Sequence, residues 1–307
     1  MSLGAAWVAG SVRAKLLASR RLGRVGAREL ARLDGIERAV AALLHSPYRR
    51  DLAVRLGLAD AQRAVEAVTL WHLRILAGWL PMGGAGPLRV LAAWWEIANV
   101  RGHLAALAGD ARPTAHDLGS LATAWSRLAR TTSLADVRAT LTASPWGDPG
   151  GDYAASIVLG LNLYWGRRLA EEMPGASAWG AAWCALVLAR AAFVDARPPV
   201  AEQRGPRFGL GGTWADARSV PDLRDRVGRD TAWVLADVDR PQELWRAEAR
   251  WWARVERDAF VMVAARPGPV AVAGGAALLW TDCWRVKAAL ALAANGGGPM
   301  DDFDAVA

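Results

Sequence analysis

Three carboxylates stand where a soluble chain seldom puts one: Glu96, Asp195 and Asp282 each read as embedded in a strongly apolar helix. A carboxylate removed from water has its pKa shifted and can serve as a general acid or base. Glu96, Asn99 and His103 fall at i, i+3 and i+7, on one face of a helix. Asp282 and Arg285 are three apart, within reach of an intrahelical ion pair. The competing reading is structural: each acid satisfies neighbouring backbone or arginine groups at a joint between helical parts. That reading is preferred, because ion pairs of purely structural value also place acids in apolar settings. The three acids lie far apart in the chain, so a two-carboxylate catalytic site would require their segments to converge.

Other chemistries find less support. His45, His72, His103 and His116 are too dispersed for a local metal motif, and no Ser/His/Asp or Cys/His arrangement follows from spacing. Pro81-Met-Gly-Gly-Ala-Gly-Pro and Phe208-Gly-Leu-Gly-Gly-Thr match neither G-x-x-x-x-G-K-[ST] nor G-x-G-x-x-G, and read as turns. Asp301-Asp302-Phe303-Asp304 is superficially like the aspartate-rich motif of helical terpene synthases. It follows Gly296-Gly-Gly-Pro and reads as an acidic tail. No catalytic residue, metal or cofactor is therefore expected.

The chain has 307 residues, is 53% apolar and 22% charged, and is neither disordered nor low-complexity. Cys184 and Cys283 are its two cysteines, which excludes a disulfide framework and points to a reducing compartment. The net charge is +7, and all basic residues but Lys15 and Lys287 are arginine. No Lys/Arg run interleaved with aromatics occurs, so nucleic acid is not an expected partner. The longest uncharged stretches, Met173–Ala189 and Pro267–Thr281, hold 17 and 15 residues. Both are short of the ~20 apolar residues a spanning helix needs. The N-terminus has no basic leader before its apolar part, so a secretory signal is not expected either.

Strand alternation is nearly absent, while Ala/Leu/Arg/Trp stretches of helical period dominate. The pattern predicts helices near 5–20, 27–45, 50–57, 61–78, 87–108, 115–130, 134–143, 152–172, 177–193, 221–229, 242–264 and 270–294. Internal repetition is the informative feature. Ser46-Pro-Tyr48, Ser144-Pro-Trp146 and Thr231-Ala-Trp233 recur at offsets of 98 and 87. Glu96, Asp195 and Asp282 follow these aromatics by 48, 49 and 49 residues, and Trp71, Trp165 and Trp252 precede the acids by 25, 30 and 30. The expected architecture is all-α, with three related units, 1–110, 111–212 and 213–307, packed around a central cavity as a funnel. Most of the 17 tryptophans are expected in cores. Trp251 and Trp252, being adjacent, point about 100° apart on a helix and should not share one core. Surplus Trp would then serve unit boundaries or docking surfaces.

The order of these motifs resembles the C (or d) subunit family of V-type and A-type rotary ATPases. Val12-Arg-Ala-Lys-Leu-Leu looks like that family's opening helix, and Leu43-Leu-His-Ser-Pro-Tyr48 its leucine-to-proline-tyrosine element. Trp95-Glu-Ile-Ala-Asn-Val-Arg101 is similar to its aromatic-acid-x-x-Asn-aliphatic-basic signature, and Leu278–Lys287 to the last copy of it. The resemblance covers nearly the whole chain. The middle copy departs at Pro198-Pro199, and Arg285 stands where the first copy has Asn99. The resemblance implies a non-catalytic bacterial subunit, one copy per complex, peripheral on the cytoplasmic face of the membrane. Its partners would be the rotor shaft subunits and the membrane proteolipid ring, with membrane contact only through them, in support of proton or sodium transport. Glu96, Asn99, Arg101, Asp195, Asp282, Arg285 and Lys287 would be its signature positions, structural or interfacial. An unrelated helical-repeat adaptor and, behind it, an all-α terpenoid-type enzyme are the rival readings.

Overall fold

The computed structural model describes residues 3–53, 56–197, 199–200, 203, 210 and 213–300. Among these residues every regular element is helical and none is a strand, so the all-α class expected from periodicity holds. The glycine stretch around 208–212, apart from Leu210, and the acidic tail 301–304 lie outside the described residues. By contact, the chain forms two compact units, residues 1–88 with 255–307, and residues 89–254. This division crosses the sequence segments 1–110, 111–212 and 213–307.

In the first unit the organising element is α13 (Pro269–Ala294), against which α1 (Leu3–Ser19), α2 (Gly23–Ala31), α3 (Ile36–Leu43) and α4 (Leu58–Gly78) pack. Its sequence is apolar on all sides, the signature of a helix enclosed by others. It is buried without interruption from Ala271 to Cys283. The helix expected over 27–45 is two helices. Gly35 adopts φ +103 and donates its N–H to the Ala293 carbonyl at 2.9 Å, so the chain turns there to meet α13. A side chain at that φ would be strained. Among the described residues of the expected 50–57 helix, a 3-10 turn, Arg49–Asp51, is the regular structure present.

In the second unit α8 (Ala154–Glu172) and α9 (Ser177–Phe193) form a close antiparallel pair; most of α5 (Gly86–Leu107) and the first half of α12 (Leu244–Ala264), whose second half belongs to the first unit, are its other long helices. Gly180 permits the α8–α9 approach: a Cβ there would lie 2.0 Å from the Gly166 carbonyl oxygen. Between these helices run α6 (Trp125–Leu128), α7 (Leu134–Thr142), α10 (Val220–Arg226) and α11 (Arg229–Ala232). The expected 115–130 helix is reduced to a 3-10 turn at Gly119–Leu121 and the single turn of α6.

Five tryptophans of this unit, Trp94, Trp165, Trp183, Trp251 and Trp252, form one cluster with ring centroids 4.9–6.4 Å apart, mostly edge to face. Trp251 and Trp252 are both buried, contrary to expectation. The 100° separation is accommodated because α12 is covered on two sides. Trp251 meets Trp183 and donates its indole N–H to the Trp179 carbonyl at 2.8 Å, while Trp252 meets Trp94.

Gly180→Ala should cost about 1–3 kcal/mol by forcing α8 and α9 apart. Chemical denaturation of the variant checks this; wild-type stability would contradict the packing.

Candidate functional site

Asp282 is 2% exposed at the middle of α13 and makes three hydrogen bonds to distant parts of the chain. The peptide N–H groups of Leu22 and Gly23 donate to its two carboxylate oxygens at 3.0 and 2.7 Å, and the Tyr48 hydroxyl donates at 2.8 Å. Leu22 and Gly23 open α2, whose N-cap position offers no side-chain acceptor. Asp282 thus caps that helix from another element, with its negative charge at the positive end of the helix dipole. Tyr48 is aimed by its own turn: the Ser46 hydroxyl donates to the Leu43 carbonyl at 2.6 Å and accepts the Tyr48 N–H at 3.1 Å. Burial pushes the Asp282 carboxyl above its ordinary range, against the pull of these three donors and the Arg21 charge. Burial and the neighbouring Asp282 hold the Tyr48 phenol well above its ordinary value. Burial likewise lifts the Cys283 thiol to about 12.

Glu96, fully buried in α5, repeats the arrangement in the second unit. The N–H groups of Thr123 and Ala124 donate to its two oxygens at 2.7 and 2.6 Å, and the Trp146 indole N–H donates at 3.3 Å. Ala124 is the N-cap of α6 and also lacks a side-chain acceptor. The turn below the aromatic is the same again: the Ser144 hydroxyl donates to Leu141 at 2.7 Å and accepts from the Trp146 N–H at 3.1 Å. Two consecutive peptide donors and one aromatic donor therefore surround each carboxylate. Neither aromatic comes from the repeat of the acid it serves: Trp146, of the second, serves Glu96 of the first, and Tyr48, of the first, serves Asp282 of the last.

The rest of the α5 face binds the same segment. The Asn99 amide pairs with both backbone groups of His116, at 3.0 and 2.7 Å. The Thr131 hydroxyl donates to the Leu128 carbonyl, so it accepts the Nε2–H of His103 at 2.8 Å and leaves Nδ1 as the bare nitrogen. That nitrogen is buried without a partner, and burial and the Arg112 charge hold the His103 pKa below its ordinary value. Glu96, Asn99 and His103 do share a face, as their spacing predicts. Glu96 and Asn99 bind the peptide N–H groups of His116, Thr123 and Ala124 and the His116 carbonyl, in competition with a continuous helix over 115–130.

Two expectations fail. Asp282 does not pair with Arg285. The Arg285 guanidinium reaches Glu256 of α12 at 3.0 Å, where Arg24 also binds at 2.8 Å. Asp282 already has its donors, and Glu256 is a buried acid in need of two. Sequence reasoning missed Glu256, although an acid four residues after Trp252 in a half-apolar helix carried the same signal as the others. Asp195 is not in a helix. It is exposed, and α9 ends at Phe193 with the Val194 and Asp195 N–H groups both turned onto the Arg190 carbonyl and Ala196 at φ +50. The following prolines forbid continuation, Pro198 itself lying outside the described residues. Lys287 is half-buried and paired with Glu66, and Gln62 donates to its carbonyl at 3.0 Å. Arg101 is exposed on α5.

Both oxygens of Glu96 and of Asp282 are occupied by fixed donors, which suits anchoring and leaves neither placed to shuttle a proton. Among the described residues no group of three His, Cys, Asp or Glu could hold a metal ion. Nor is any helix among them long and apolar enough to cross a membrane. No family model matches the chain, and no curated protein is significantly similar to it.

Asp282→Ala and Glu96→Ala each strand three buried donors and should cost more than about 3 kcal/mol, whereas Tyr48→Phe removes one donor and should cost about 1–2 kcal/mol. Denaturant unfolding tests the order; three equal and small losses would refute the cages. Because the folded thiol and phenol hold protons that the unfolded chain releases, stability should fall as pH rises above about 9. Cys283→Ala should flatten that fall, and an unchanged slope would contradict it.

Proposed function

We propose that this protein is a non-catalytic coupling subunit of a V/A-type rotary ATPase, a helical socket linking the rotor shaft to the membrane proteolipid ring. One observation carries the reading: the order in which the repeats hold one another. The first repeat's acid is bound by the second repeat's turn, and the last repeat's acid is bound by the first repeat's turn. That order is what three units around a common axis, arranged as a funnel, require. An open helical-repeat adaptor has no reason to join its first and last repeats, since each repeat contacts only its neighbours in sequence. A terpenoid-type enzyme needs acids available to magnesium, and these two are saturated.

The joints also suit a part that transmits torque. Breaking one exposes a buried charge and unpaired backbone donors at a cost of about 3–5 kcal/mol, so the connection is stiff without covalent linkage. The exposed arginines, with their planar bidentate geometry, suit acidic partner surfaces that must not slide. In this reading the protein sits once per complex on the cytoplasmic face of the membrane and supports proton or sodium movement.

Purified protein should be retained by the shaft subunits or the proteolipid ring of the same organism at low ionic strength and released as salt rises. Absence of association with either at low salt would overturn the proposal.

A further inference from the structure

Three segments of the first unit contain no acidic residue: 1–28, 67–88 and 259–281. Together they hold eight Lys or Arg: Arg13, Lys15, Arg20, Arg21, Arg24, Arg28, Arg74 and Arg266, of which Arg24 is committed to Glu256. The fold brings these segments to one surface, with α1 lying between two helix-hairpin tips. On one side the Ser11 hydroxyl accepts the Gly268 N–H at 2.9 Å, Lys15 Nζ donates to the Ala265 carbonyl at 3.3 Å, and the Arg21 guanidinium lies 4.6 Å over the Phe260 ring. On the other, Gly10 meets Leu80, and the Arg13 guanidinium lies 5.2 Å over the Trp79 ring.

The same surface carries most of the large apolar side chains this unit leaves in water. Val8, Val12 and Leu16 repeat every fourth residue along the outer face of α1, and Val12 is 59% exposed. Phe260, Val261 and Val270 flank them on one side, with Val261 73% exposed, and Trp79 and the fully exposed Met82 on the other. An apolar stripe is by itself silent about its partner; the charge pattern is not. A protein–protein rim ordinarily mixes both signs, whereas a surface that meets anionic headgroups excludes acids and interleaves aliphatics with Arg, Lys and an interfacial Trp. Of the acids that border these segments in sequence, Glu66 pairs with Lys287, Asp282 is held in its donor cage, Asp258 faces Arg257 at 4.0 Å, and Glu29 is exposed beside Arg28 on α2.

We infer that this face of the first unit docks directly onto an anionic lipid bilayer, with Val12, Val261 and Met82 entering the headgroup boundary and the surrounding arginines meeting lipid phosphates. This adds a lipid contact to a reading in which partners alone bring the protein to the membrane. It does not depend on that reading, because vesicles contain no partner subunit.

The full chain should co-sediment with phosphatidylcholine vesicles containing phosphatidylglycerol, bind pure phosphatidylcholine weakly, and dissociate as salt rises. Val12→Glu combined with Val261→Glu should weaken partition at least about tenfold. Met82→Asp, on an exposed loop, should weaken it less, and Val194→Glu in the other unit should leave it unchanged. Circular dichroism and thermal unfolding establish that each variant is folded, and Met82→Asp keeps the test decisive if the double variant is not. No binding to anionic vesicles overturns the inference, as does equal binding by the Met82 and wild-type proteins. A concentration-dependent dimer that Val12→Glu dissolves, with no vesicle binding, would assign the face to a second copy of the chain and likewise overturn it.

Discussion

A carboxylate buried in an apolar helix is tolerable only if donors surround it, and in this protein two adjacent peptide N–H groups and an aromatic side chain supply them. Everything else at the two joints follows from that requirement. The donors must come from a helix start, because only there do consecutive peptide N–H groups point outward without partners of their own. Each of these helix starts, at Leu22–Gly23 and Thr123–Ala124, lacks a side-chain cap, so acid and helix terminus complete each other. The serine turns that aim Tyr48 and Trp146 are equivalent, hydroxyl to carbonyl and peptide to hydroxyl, although the residues they aim differ.

Asp195 and Trp233 do not repeat this arrangement. α9 ends at Phe193, and Asp195 is in solvent. The Trp233 indole nitrogen is buried without a hydrogen-bond partner, and the Arg254 guanidinium lies 5.5 Å over its ring. The segment of Trp233 packs on α9, together with α11.

What the sequence disclosed and what it concealed divide along physical lines. The all-helical class, the long helices and the repeated serine-to-aromatic turn were legible, because periodicity and local hydrogen bonding are written into neighbouring residues. Glu96, Asn99 and His103 were correctly placed on one face for the same reason. The partners of the acids were not legible, because most are backbone N–H groups that carry no side-chain signature. Spacing set Tyr48 and Glu96 in one repeat, yet Tyr48 serves Asp282, a contact across 234 residues that only tertiary structure creates. Arg285 illustrates the same limit: helical reach suggested Asp282, and competition from Glu256, on a different helix, decided otherwise. Trp251 and Trp252 show that an adjacent pair can share one cluster once neighbours cover a helix on two sides.

The central claim is that Asp282 holds the first repeat to the last through the start of α2. Amide hydrogen exchange at Leu22 and Gly23 tests it most directly. Exchange there should be as slow as for the most protected amides of α13, and should accelerate by orders of magnitude in Asp282→Asn while the Thr123 and Ala124 amides keep their protection. Rapid exchange at Leu22 and Gly23 in the wild-type protein would contradict the account.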